Sequence, residues 1–199
     1  IVKWITIAQS VLGMLSPSRF FHAFVQCVQD RASGRCGAHM LSPMRVTSPA
    51  FRSGDMIPAK YTCDGKDVNP ELVIDDVPGD TQSFAILVDD PSSPSGNWLH
   101  WSVWNISPSV RVIRENSVPQ GAREGETDFS EVGYGGPCPG VGEHEYRFMV
   151  YALDCLLDVG HGASREVMDA AMNGHVIAQA TLEGKYQRQK IRAMQHATA

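Results

Sequence analysis

Residues 90–106 read DPSSPSGNWLHWSVWNI. The first half is crowded with Pro, Ser and Gly, so it forms a loop rather than a regular element. The second half is aromatic and β-branched, as suits a pleated, half-buried surface. A two-residue period puts Trp98, His100 and Ser102 on one face of a strand, and Leu99, Trp101 and Val103 on the other.

The same texture extends outward from this stretch. Further strands are expected at 45–51, 72–75, 83–88, 98–106, 111–114 and 146–153, with Gly, Pro, Asp and Asn between them. The run FAILV at 84–88 is apolar throughout, as a strand covered on both faces would be. One later segment is helical, 164–173, capped by Ser164 and ended by Asn173-Gly174. A strand-like stretch, HVIAQATLEGKY, follows it. No internal repeat is present. The expectation is a mainly β domain over 44–199, a sandwich of two antiparallel sheets with one or two peripheral helices.

Residues 1–43 differ. Ile1, Trp4, Ile5, Ala8, Val11, Leu12 and Leu15 recur at helical spacing, as do Phe20, Phe21, Phe24, Val25 and Val28. Two amphipathic helices over 1–31 are expected, broken at Ser16-Pro17-Ser18, with a linker over 32–43. Their apolar faces would cover the sandwich or meet a second subunit, with an anionic membrane surface as the less favoured alternative.

The 199 residues carry 43% hydrophobic and 20% charged side chains, which excludes disordered and collagen-like chains. The net charge of -5 is uneven. Residues 1–45 hold five bases against one acid, a surplus of four, and the remainder holds 12 bases against 21 acids, a deficit of nine. An acidic body does not suit a polyphosphate, so nucleic acid is not an expected partner. No run reaches the ~18 apolar residues of a spanning helix. Residues 4–15, behind Lys3, resemble a signal-peptide core. Gln9 and Ser10 interrupt it, and no small-x-small cleavage site follows. The expectation is cytoplasmic, with the periplasm as the alternative if 1–15 belongs to a signal segment. Five cysteines, Cys27, Cys36, Cys63, Cys138 and Cys155, form neither an even framework nor a C-x-x-C pair. Mostly reduced thiols are expected, with a bridge between Cys63 and Cys138 left open.

Three segments join Gly/Pro-rich loops to residues of the kind that bind or react: YTCDGKDVNPEL at 61–72, the 90–106 stretch, and YGGPCPGVGEHEYRF at 134–148. His144 and Tyr146 share a strand face, and Glu145 points the other way. Taken singly, His100 is as well explained by a core imidazole bonded to a backbone carbonyl. The glycines at 135, 136, 140 and 142 are as well explained by a tight hairpin loop.

Together the segments resemble the signatures of the phosphatidylethanolamine-binding protein family, also called Raf-kinase-inhibitor-protein-like, in its bacterial and archaeal branch. One signature is matched by Asp90-Pro91, Pro94, Trp98, His100 and Trp101. The other is matched by Gly136, Pro137, Gly140, Gly142, His144 and Tyr146. Ile57-Pro58, Tyr61, Cys63-Asp64-Gly65, Asn69-Pro70 and the ending ATLEGKYQR are similar to that branch as well. The likeness covers roughly 45–190 and nothing in 1–43.

The resemblance implies a β-sandwich whose end pocket holds phosphate, acetate, cacodylate or a phospholipid head group. The matching ligand positions are Asp90, His100, Pro137, His144 and Tyr146, with the Gly136 backbone. Two imidazoles, a phenol and loop N–H groups would donate to an anion, and Asp90 would orient an imidazole. It also implies a homodimer and, for some relatives, inhibition of a kinase or protease. Two positions depart from the family pattern. Ser92 stands where an Asp is common, and Glu145 where an Arg is common. Both alter charge at the pocket rim.

The expectation put first is therefore a binding protein for a small anion or phosphorylated head group, with a protein target as a further partner. On that expectation it is not an enzyme and takes no cofactor. The second reading is a thiol hydrolase using Cys138 with His144 or His100 and Asp90. A third is a metal site built from His100, His144 and a carboxylate.

Overall fold

The computed structural model describes residues 43–188. The helical pair expected over 1–31 and its linker up to residue 42 lie outside the described residues. Within them the chain forms eight strands: β1 Arg45–Thr47, β2 Leu72–Asp75, β3 Ser83–Asp90, β4 Trp98–Ile106, β5 Val112–Ile113, β6 Arg123–Glu124, β7 Glu143–Leu153 and β8 Val176–Gln187. One α-helix, α1, spans Arg165–Met172, and a short 3-10 turn spans Ala59–Tyr61.

The strands make two antiparallel sheets, one in the order β1-β2-β5 and one in the order β6-β4-β3-β7-β8. Val46, Leu72, Ile74 and Ile113 of the small sheet pack against Phe84, Ile86, Val88, Phe148 and Val150 of the large one. The large sheet's other face carries Ala85, Leu87, Leu99 and Met149, covered by Met168 and Met172 of α1. That is the expected sandwich with a peripheral helix. β3 is the middle strand and is covered on both sides. All eight of its residues are buried, which is why FAILV shows no alternation.

Several boundaries move, each for a local reason. The first strand ends at Thr47 instead of 51, because the Ser48 hydroxyl donates to Glu71 O and accepts from the Ala50 amide, starting a turn. β3 runs on to Asp90 because buried Asp89 is paired with Arg147 (2.9 Å) and Arg165 (3.1 Å). β6, two residues long, is too short to show a period. Ser164 holds the N-cap position of α1 as expected, but its hydroxyl bonds the Glu166 carboxylate (2.7 Å) and makes no capping bond to the backbone. Gly174, at φ 83°, supplies the left-handed turn into β8. Among the described residues no helix is long and apolar enough to cross a membrane.

The faces assigned to 98–103 need correction. Val88 pairs with Trp101, but Asp89 pairs with Leu99, so His100 is an extra residue in a β-bulge. Alternation breaks there. Leu99 packs on the helix side of the sheet and Trp101 on the sandwich side. His100 and Trp101, expected on opposite faces, both lie toward the sandwich side, where His100 meets Tyr146.

Candidate functional site

Asp90 is the last residue of β3, and its carboxylate does two jobs. Oδ1 accepts the Ser92 amide at 2.8 Å, turning the Pro-rich loop. Oδ2 lies 2.7 Å from His144 Nδ1, so Asp90 orients that imidazole. His144 and Tyr146, two residues apart on β7, stack with ring centroids 6.5 Å apart. His100 is fixed twice by one glycine. Its Nδ1 donates to Gly135 O at 2.7 Å, and its own carbonyl accepts the Gly135 amide at 2.9 Å. The backbone-bonded imidazole and the ligand-facing imidazole are thus the same residue. One ring nitrogen is anchored and the other is left over. Phe129 and Tyr146 pack edge-on against the ring, with centroids at 5.1 and 5.2 Å.

Around these side chains lies a cavity of about 220 Å³. Asp90, His100, His144 and Tyr146 line it, as does Phe129. Gly136 and Pro137 do not. The Gly136 amide is not free for an anion, because it donates to Asp67 Oδ1 at 2.6 Å.

The glycine loop is held from behind by the 61–67 segment. Tyr134 donates its hydroxyl to Tyr61 O (3.0 Å), and the Cys63 amide donates to Pro137 O (3.2 Å). Cys63 and Cys138 form a disulfide. A Cβ on Gly136 would lie 2.5 Å from both Tyr61 O and Asp67 Oδ1, so only glycine allows this approach. The segment 61–72, expected to carry chemistry, serves here as a scaffold.

The disulfide bears on two expectations. The bridge left open between Cys63 and Cys138 is formed, and only Cys155 among the described cysteines is free. Cys138, bonded to Cys63, has no thiolate with which to attack, which removes the hydrolase reading. The metal reading at His100 and His144 also fails on geometry. Among the described residues, the one group of three His, Cys, Asp or Glu ligands within 4.8 Å of one another lies elsewhere.

Electrostatically the cavity favours a hydrogen-bond acceptor. Burial pushes the Tyr146 phenol far up, and the Asp90 charge adds to this, so the hydroxyl stays protonated. Among the described residues its oxygen is buried and makes no hydrogen bond of regular geometry, although the Asp90 carboxylate and the Cys138 backbone lie close enough to act on it. Burial pulls His100 down, against the Gly135 carbonyl and the Asp90 charge, which favour its cation. At the rim, Ser92 and Glu145 do touch, but the bond runs from the Glu145 amide to Ser92 Oγ (3.2 Å). The Glu145 carboxylate instead faces Lys185, its cross-strand partner, at 3.9 Å. The two departures from the family pattern therefore meet through the Ser92 side chain and the Glu145 main chain. Phe129 gave no sequence signal. It sits in an aperiodic loop after β6, and only its contacts with His100 and Trp98 reveal it.

Several known proteins are similar to this chain in sequence and fold. A 43% identical UPF0098 protein of Methanothermobacter thermautotrophicus aligns over 73% of this chain and 99% of its own length. One from Aquifex aeolicus is 45% identical over 73% and 89%. A crystal structure from Chlamydia trachomatis, described as a phosphatidylethanolamine-binding-protein homologue, superimposes with a TM-score of 0.71 at 39% identity. It covers 74% of this chain and 99% of that one. Escherichia coli YbcL, described as a new member of the mammalian family, gives 0.70 at 30% identity over 74% and 100%. Residues 47–187 match the sequence model of the phosphatidylethanolamine-binding protein family, and the chain belongs to that family.

Proposed function

We propose that the cavity binds a small oxyanion, as inorganic phosphate or as the phosphate monoester of a head group, and that the protein acts as a binding protein. The observation that carries this reading is the Tyr146 hydroxyl, a buried donor that makes no regular hydrogen bond among the described residues and belongs to a residue lining the same cavity as two imidazoles. An unsatisfied buried hydroxyl costs ~1–3 kcal/mol, and an acceptor oxygen on a ligand would recover it. The volume of about 220 Å³ exceeds many times the ~10–15 Å³ that one water needs, so a tetrahedral anion fits. Asp90 in the wall opposes a second negative charge, so monoanions are preferred to dianions.

An anion raises the pKa of the imidazole it meets, so binding takes up a proton and tightens as pH falls. Calorimetry with phosphate and phosphoethanolamine at about pH 6 and pH 8, with acetate as a control for phosphate's own ionisation, tests this. The expected gain at the lower pH is roughly tenfold, or about 1.4 kcal/mol per unit of pKa change. His144→Ala should weaken binding by removing one imidazole donor, and Tyr146→Phe should weaken binding at both pH values. Equal affinity at both pH values, with both variants binding like the parent, would overturn the reading.

A further inference from the structure

A second cluster lies at the other end of β7. Asp154 and Cys155 directly follow this strand, and His175 directly precedes β8. Each offers one ligand atom, and these atoms all lie within 4.8 Å of one another. Leu153 and Val176, the adjacent strand residues, are paired, so the three side chains close the base of the excursion that carries α1. Their backbone is already held. Asp154 N–H donates to His175 O at 3.1 Å, His175 N–H donates to Met172 O at 3.0 Å, and the Ser83 hydroxyl bonds Cys155 O. His175 Nδ1 and Asp154 Oδ1 are 2.8 Å apart.

The group is not arranged for nucleophilic catalysis. Asp154 is the near neighbour of both the thiol and the imidazole, so the imidazole is not set to take the thiol's proton. Burial, then the Asp154 charge, push the Cys155 thiol up, whereas a nucleophilic cysteine needs it lowered.

We propose that Asp154, Cys155 and His175 form a surface site for a borderline-soft divalent transition-metal ion, zinc above all. A thiolate, an imidazole and a carboxylate are the three donor types zinc takes, and hard cations such as calcium and magnesium want oxygen alone. Around tetrahedral zinc, bonds of about 2.0–2.3 Å put these donor atoms about 3.3–3.6 Å apart. Binding therefore requires the 2.8 Å contact between Asp154 and His175 to open and any longer separation to close, both by side-chain rotation. The exposed fourth position goes to water. Binding releases the thiol proton, while the neutral imidazole ligates through its unprotonated nitrogen and keeps its one N–H on the other. It also ties the end of β7 to the start of β8.

Cobalt(II) titration of the full chain tests this, because thiolate ligation gives a charge-transfer band that carboxylates and imidazoles do not. One equivalent should develop the band, and zinc should displace it and raise the thermal midpoint. Cys155→Ser should lose the band, and His175→Gln should weaken cobalt affinity at least tenfold. His144→Ala, in the anion cavity, should keep it, as should the double variant Cys27→Ser, Cys36→Ser. No band at one equivalent, a band that persists in Cys155→Ser, full affinity in His175→Gln, or a band lost with Cys27 and Cys36 would each overturn the proposal.

Discussion

His100 carries the clearest pH consequence at the residue scale. Burial holds its pKa below the ordinary value near 6.5, so it is depressed in the folded state. Between the folded value and about 6.5 the unfolded chain binds the extra proton, and stability there rises with pH. The empty protein should therefore have its full His100 contribution above about pH 6.5 and lose it progressively below. Thermal midpoints between about pH 7.5 and 5.5 check this, with His100→Gln as the comparison. The parent should fall more steeply than the variant, and saturating phosphate should reduce the difference. Parallel slopes would mean that His100 does not titrate differently on folding. The residue types were readable in advance. Which imidazole is anchored to a carbonyl and which to Asp90 was not, because each bond crosses between strands.

At the element scale, β4 and β8 are instructive. Alternation identified β4 correctly, yet one bulge at His100 reversed the faces on either side of it. A bulge belongs to a pair of strands, and nothing in 98–106 alone marks which residue is extra. β8 carries Gly184 opposite Tyr146. A Cβ at Gly184 would lie 2.6 Å from Ile57 Cγ1 and 2.8 Å from Phe51 Cε2, both side chains of the packed core. Gly184→Ala should therefore cost ~1–3 kcal/mol as an overpacked site. Urea denaturation measures it, and a midpoint equal to the parent's would show that Ile57 and Phe51 give way freely.

At the scale of the whole molecule, the Cys63–Cys138 bond closes a loop of 75 residues between the scaffold segment and the cavity loop. Constraining the unfolded chain over that length is worth up to ~4.5 kcal/mol, and measured values usually fall to ~2–4. The double variant Cys63→Ser, Cys138→Ser should lose that amount in denaturant titration while keeping its fold, because Tyr134, Gly136 and the Cys63 amide still tie the two segments together. Anion affinity should fall less than stability. An unchanged midpoint would mean that the unfolded chain gains little freedom without the bond.

Local chemistry wrote most of the architecture into the sequence. The apolar run at 84–88 announced a strand buried on both faces. The Pro- and Gly-rich loops announced where strands stop, and the spacing of His144 and Tyr146 put both on one face. These are short-range properties, set by backbone sterics and by which side chains leave water. Tertiary structure alone decided the partners: Asp67 on Gly136, Asp90 on His144, Phe129 against His100, and Cys63 with Cys138. Asp67 and Gly136 are 69 residues apart, and Asp90 and His144 are 54 apart. Contacts of such reach depend on register and closure between elements. A residue's own neighbours in the chain do not encode them.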